Sequence, residues 1–131
     1  MTAYLADTSV FVAAEQGRPR REAPAGEAMI SVATLTELLV GVRRAPSDPV
    51  RTLREATLLA ARRFIAVPYD EPVAERLAEL LATARGRGER AGAMDAIIAA
   101  TALAHDLGVW TQDDDFEAIA RWAPGLRVHR A

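Results

Sequence analysis

The stretch Met94-Asp95-Ala96-Ile97-Ile98-Ala99-Ala100-Thr101-Ala102-Leu103-Ala104-His105-Asp106-Leu107, followed by Gly108-Val109-Trp110-Thr111, decides the fold class. From Met94 to Leu107 the chain is apolar nearly all the way round a helical wheel, the mark of a helix enclosed by other layers rather than one lying on a surface. Gly108 predicts the C-cap of that helix. Val109, Trp110 and Thr111 then have the β-branched and aromatic character of a short strand. A buried helix running straight into a strand is the repeating unit of an α/β fold.

Working outward, the same alternation fills the rest of the sequence. Ala3 to Ala6 predicts a first strand ending at Asp7, and Thr8 to Ala14 a helical turn that opens on hydroxyls. Arg18 to Glu27, with two prolines and several charges, predicts a loop or irregular helix. Met29 to Ala33 predicts a second strand and Leu35 to about Arg43 a helix. After Pro46-Ser47-Asp48-Pro49 come a helix from Val50 to Arg62 and a strand over Phe64 to Val67, stopped by Pro68. Val73, Leu77, Leu80 and Leu81 recur at helical spacing after Glu71, and Arg85-Gly86-Arg87-Gly88-Glu89-Arg90 predicts a basic loop. An acidic turn, a short helix and a last strand around Leu126 to Val128 complete the pattern. The expected architecture is one domain over residues 1–131, a mostly parallel central sheet flanked by helices.

Composition removes several chemistries. With 131 residues the chain is long enough for a core without disulfides or structural metal. It has no cysteine, so no thiolate site or thiol nucleophile. Its 2 histidines cannot form a three-histidine zinc site. All 16 basic residues are arginine, which excludes Schiff-base chemistry and a P-loop lysine. The net charge of −2 means that a polyanion would have to meet a local arginine patch. No apolar run reaches membrane-spanning length and the N-terminus lacks a signal-peptide pattern, so the expectation is a cytoplasmic protein with no membrane partner.

Four carboxylates fall where an open parallel sheet places its ligands, beyond the carboxyl ends of strands. Asp7 ends the first strand, Glu37 lies in the helix after the second, Asp95 opens the buried helix, and Asp113 follows the fourth strand. Brought together they would repel one another unless a cation compensated. Oxygen donors without histidine or cysteine favour Mg²⁺, with Mn²⁺ as a substitute, and such a site suits phosphodiester hydrolysis. Each acid also has a plainer reading. Asp7 can cap the turn after it, and Thr34-Leu35-Thr36-Glu37 has the form of a capping box. Asp95 suits a helix dipole, and Asp113-Asp114-Asp115 has the form of a solvated turn.

The ordered set is the informative feature. Leu5-Ala6-Asp7-Thr8-Ser9-Val10 resembles the opening motif of the PIN-domain family, and Ser31 to Leu38 with Glu37 is similar to its second. Met94-Asp95-Ala96-Ile97-Ile98-Ala99 resembles the third motif, and Trp110-Thr111-Gln112-Asp113-Asp114-Asp115-Phe116 the fourth. The resemblance spans nearly the whole chain, and its length suits the VapC-type toxins of toxin–antitoxin pairs. It implies a PIN-like three-layer sandwich and a metal-dependent endoribonuclease whose catalytic acids and metal ligands are Asp7, Glu37, Asp95 and Asp113. Asp115 would assist through a bound water, its role divided with that of Asp113. Thr8, Ser9 and Thr111 would orient carboxylates or phosphate. The resemblance also implies an RNA substrate, a homodimer and a cognate VapB-type antitoxin.

RNA approaching an acidic site needs flanking cations. Arg85, Arg87 and Arg90 precede Asp95, and Arg18, Arg20 and Arg21 follow Asp7; both clusters are candidate RNA contacts, with solvated surface as the plainer reading. His105-Asp106 lacks the further histidines of an HD-type hydrolase, and the helix dipole accounts for His105. Phe64 and Trp110 are expected in the core, with Trp122 divided between packing and an interface. The alternative function is a catalytically silent PIN-like module that binds cation or antitoxin without cleavage. A receiver-type phosphoacceptor domain is a further reading, opposed by the lack of lysine.

Overall fold

The computed structural model describes residues 2–131. Five strands and six helices follow one another as β1 (Ala3–Ala6), α1 (Thr8–Glu15), β2 (Glu27–Ser31), α2 (Val32–Arg43), α3 (Asp48–Ala61), β3 (Ala66–Val67), α4 (Glu71–Gly86), α5 (Ala93–Ala104), β4 (Gly108–Thr111), α6 (Asp115–Trp122) and β5 (Val128–Arg130). The strands form one sheet in the order β3-β2-β1-β4-β5, with every pairing parallel. β1 is central: Leu5 stands between Met29 of β2 and Val109 of β4. The sheet thus turns in opposite directions on either side of β1, and Asp7 emerges at that divide.

Alternation along β1 and β4 assigns the two faces. Tyr4, Ala6 and Trp110 pack with Val10, Phe11, Leu38 and Ala61 from α1, α2 and α3. Leu5 and Val109 pack on the other side with Val73, Leu80, Ile98, Phe116, Ile119 and Trp122 from α4, α5 and α6. The period of two that places alternate strand residues on opposite faces therefore serves both layers. α5 has Ala96, Ile98, Ala99, Ala100, Thr101 and Ala102 buried, as its apolar circumference requires.

Several boundaries differ from those read in the sequence. α5 ends at Ala104, not Leu107, and Gly108 is not its cap. His105 is the C-cap, Asp106 takes the left-handed conformation at φ 53°, and Leu107 N–H donates to Ala102 O at 2.8 Å, closing a Schellman motif. Aspartate tolerates that conformation better than most side chains, and Arg127 secures it by donating to both Asp106 Oδ1 and its carbonyl. Gly108 instead lies in β4, where a Cβ would meet the His129 ring at 2.8 Å. α2 starts at Val32 because Ser31 caps it, its hydroxyl accepting from Ala33 N–H at 3.0 Å. β3 keeps only Ala66 and Val67, leaving Phe64 and Ile65 exposed, although Phe64 still meets Phe11 edge-on. Arg85 belongs to the last turn of α4, and β5 sits two residues later than expected. Trp110 and Trp122 are buried.

Candidate active site

Asp7, the last residue before α1, is almost wholly buried yet surrounded by donors. Its Oδ2 accepts from the Thr111 hydroxyl at 2.9 Å and from Ser9 N–H at 3.3 Å. Asp7 therefore caps α1, as its plainer reading expects, while standing close to the other carboxylates. Its backbone N–H donates to Trp110 O at 2.9 Å, tying the end of β1 to β4. Thr111 is also fully buried, and besides Asp7 it accepts from Asp113 N–H at 2.9 Å. Ser9 Oγ lies 3.2 Å from Thr111 Oγ1 and accepts from Gln112 N–H at 2.9 Å. The Thr111 hydroxyl thus connects the first and fourth acids across the β1–β4 seam, with the Ser9 hydroxyl beside it.

Glu37 is not a capping residue. With Ser31 as N-cap, the third helical position is Thr34, and Glu37 stands a full turn further on. Its Oε1 accepts from the Thr8 hydroxyl at 2.7 Å, a short bond to a charged acceptor. Asp95 lies in the first turn of α5, half-buried, with no side-chain cap bond at that helix start.

The electrostatics show that these acids share a neighbourhood. The Asp95 carboxyl is pushed up to about 7, first by burial, then by the Asp7 charge, a hydrogen bond with Asp115, and the charges of Asp115 and Asp113. Glu37 is raised by burial and by Asp7 and Asp113, against the lowering pull of its Thr8 bond. Asp113 is raised by partial burial, then Asp7, Asp115 and Asp114, while Arg130 opposes them. Asp7 acts on all three, so the four acids of the sequence converge on it. Clustered acids with raised pKa values are a recurrent feature of catalytic sites. Asp115 joins them through Asp95.

An all-oxygen donor set with this mutual repulsion matches a hard divalent cation in its chemistry. Among the described residues no three such side chains stand ready-made as a metal-ligand group. Chelation would require the carboxylates to draw together around the ion.

The arginine clusters divide. Arg90 lines a cleft of about 140 Å³ together with Asp95, Asp115, Gly92 and Trp122, which puts it beside the acids. Arg85 and Arg90 border a more open depression with Leu81 and Ala91, and Arg87 is the exposed C-cap of α4. Arg20 stacks 5.8 Å above the Trp110 ring, and Gln112 Nε2 donates to Pro19 O at 2.9 Å, so the loop carrying Arg18, Arg20 and Arg21 is fastened next to the fourth motif. On the Glu37 side, a groove of about 420 Å³ is lined by Thr8, Glu37, Arg44 and Arg54. The sequence reading missed Arg44, which caps the helix that carries Glu37 two turns further on, and Arg54, which comes to the groove only when α3 packs on α2. It also missed Arg130, which contacts the acidic turn from β5. His105 takes a partner that its dipole reading did not foresee: Nε2 lies 3.0 Å from Oδ2 of Asp70, the N-cap of α4.

Comparison with known proteins agrees with this geometry. The PIN domain family matches residues 4–121. Ribonuclease VapC4 of Mycobacterium tuberculosis is 40% identical over 116 residues, covering 88% of this chain and 89% of the relative. Ribonuclease VapC5 of the same organism is 40% identical over 114 residues, covering 86% and 84%. The crystal structure of VapBC-5, a member of the VapBC family of toxin–antitoxin systems from M. tuberculosis, superposes with a TM-score of 0.85 at 34% identity, covering all of both chains. With its acids gathered around Asp7 on an all-parallel sheet, this chain belongs to the PIN-domain family and, within it, to the VapC ribonucleases.

Proposed function

We propose that the protein is a Mg²⁺- or Mn²⁺-dependent endoribonuclease and the toxin of a type II toxin–antitoxin pair. The observation that carries the reading is the convergence of Glu37, Asp95 and Asp113 on the buried Asp7 carboxylate. Asp7, Asp95, Asp113 and Glu37 would hold the cation, with Asp115 reaching it through water. A bound Mg²⁺ or Mn²⁺ supplies charge stabilisation at the scissile phosphate and acidifies water.

The chain's own groups do the positioning. Thr111 and the Ser9 amide fix one oxygen of Asp7, and Thr8 fixes one oxygen of Glu37. That leaves the remaining carboxylate oxygens to face the reaction. The Asp95 carboxyl, pushed up to about 7 by burial and by its acidic neighbours, would be held ionised by a bound cation, which offsets that repulsion. Arg90 and the tethered Arg20 flank the acids and would take phosphates on either side of the cut, where a guanidinium binds bidentately.

The structure that superposes on this chain is of a VapBC toxin–antitoxin system, which supports a cognate VapB-type antitoxin as partner. A homodimer is the expected assembly, with the exposed Leu53 and Leu59 of α3 and Leu81 of α4 as candidate apolar contacts. No helix among the described residues is long and apolar enough to cross a membrane.

The test is incubation of purified protein with total RNA in EDTA and in EDTA followed by excess Mg²⁺ or Mn²⁺. Discrete cleavage that EDTA abolishes and metal restores is the expected result. Undiminished cleavage under chelation would overturn the metal mechanism. Cation binding without cleavage under any condition would leave the silent binding module.

A further inference from the structure

We propose that Arg130, on the edge strand β5, is a positioning residue that holds the Asp113 turn in its metal-receptive shape. The inference rests on the metal-site reading above and concerns a residue that no motif marks.

The argument begins with register. Arg130 pairs with Thr111 across the β4–β5 ladder. Thr111 is the residue whose hydroxyl donates to Asp7 and accepts from Asp113 N–H. From the opposite rung Arg130 NH1 donates to Asp113 O at 2.8 Å. The two peptide groups flanking the Asp113 Cα are therefore both fastened, one through Thr111 and one through Arg130. With both fixed, the backbone at Asp113 and the direction of its Cα–Cβ bond are also set.

The guanidinium has further work on the same turn. It lies 3.1 Å from Asp114 Oδ1 and its Nε is 3.6 Å from Glu117 Oε1. These acids are largely solvent-exposed, so the ion pairs themselves add little stability. Their effect is on direction: Asp114 and Glu117 are drawn toward β5, while Asp113 and Asp115 remain with Asp7 and Asp95. Arginine suits the task because its planar fork serves a carbonyl and two carboxylates at once.

Charge and position make opposite forecasts here. A cation near a metal site repels the metal, so at a pH high enough to keep Asp113 ionised with or without Arg130, losing the charge alone would tighten metal binding. As a positioning residue its loss must loosen binding, despite the repulsion removed. Outer contacts that orient metal ligands typically contribute 10- to 100-fold in affinity.

The experiment is calorimetric titration of Mn²⁺ into wild type, Arg130→Met and Arg130→Lys, at one pH and ionic strength. We expect roughly tenfold weaker binding in Arg130→Met. Arg130→Lys, which keeps one donor for the Asp113 carbonyl, should recover most of that loss. Amide hydrogen exchange gives a second readout, faster over Asp113 to Phe116 in Arg130→Met with β4 unchanged. Mn²⁺ affinity equal to or tighter than wild type in Arg130→Met would overturn the proposal. If that variant does not fold, Arg130→Gln replaces it under the same criterion. A wild type that binds no Mn²⁺ would overturn the metal reading itself, and this role with it, whereas normal wild-type binding with an indifferent Arg130 overturns this role alone.

Discussion

Replacing Asp95 by asparagine should make the metal-free protein more stable at pH 8 and less able to use metal. A carboxyl carried from its ordinary 3.8 to about 7 binds protons more tightly in the folded chain than in the unfolded one. Its ionisation above pH 7 therefore opposes folding, and below about pH 4, where both states are protonated, the penalty vanishes. A wholly sequestered group with that displacement would cost on the order of 4 kcal/mol. Asp95 is only half-buried, and solvent screening reduces the expected cost to about 1–2 kcal/mol. In Asp95→Asn that repulsion is gone, which for a chain of this size corresponds to a rise in Tm of roughly 3–8 °C. The assay is thermal unfolding in EDTA at pH 4, 6 and 8, followed by the same series with Mn²⁺. The gain should be largest at pH 8, shrink through pH 6 and disappear at pH 4. With Mn²⁺ at a hundred times its dissociation constant wild type gains about 2.7 kcal/mol, the variant less, and the order of stability should reverse. A variant that melts below wild type at pH 8 in EDTA, or whose advantage is the same at pH 4 and pH 8, would refute the reasoning.

Other changes separate the roles of neighbouring groups. Glu37→Gln keeps an oxygen for the Thr8 hydroxyl but removes the charge; it should melt close to wild type and lose RNA cleavage by on the order of a hundredfold, read in the EDTA-and-metal assay. Thr111→Val takes from Asp7 the shorter of its two donors in a fully buried place, so it should cost about 1–3 kcal/mol in urea unfolding and weaken Mn²⁺ binding. Gly26 stands at φ 120°, where an added Cβ would run into the Thr2 carbonyl; Gly26→Ala should lower the urea midpoint by the equivalent of about 2–3 kcal/mol. Neutralising Arg90 and Arg20 together should weaken RNA binding and flatten its salt dependence by about two phosphate contacts' worth, measured by binding titrations with a cleavage-dead chain.

The sequence disclosed its layers and its acids because both depend on local pattern. The period-two alternation in β1 and the apolar circumference of α5 can be read directly from neighbouring residues, and two of the acids, Asp7 and Asp113, sit just past a strand while Glu37 and Asp95 lie in the first turns of a helix. Helix ends were less legible. Asp106 replaced Gly108 as the left-handed residue because Arg127, 21 positions away, holds its side chain and carbonyl. A capping box was the plainer alternative for Glu37 because its three-residue spacing from Thr34 is right, and only the position of Ser31 moves the frame. Arg44, Arg54 and Arg130 could not be singled out in a chain whose 16 basic residues are all arginine. What distinguishes them is which strand or helix they face after folding.

The acids are also spread along the time of synthesis. Asp7 and Glu37 leave the ribosome early, but Asp95 and Asp113 follow far behind, and the β5 rung that fastens the Asp113 turn comes later still. Central strand β1 must wait for β4 before its second edge is paired. A growing chain therefore carries an incomplete acid set until β4 and the turn after it have been made. Chains released after Ala104, which hold Asp7, Glu37 and Asp95 but lack β4, should show no metal-dependent cleavage; robust cleavage by such fragments would contradict this. On this account the order of the fold itself delays the hazard until β4 and β5 have both been made.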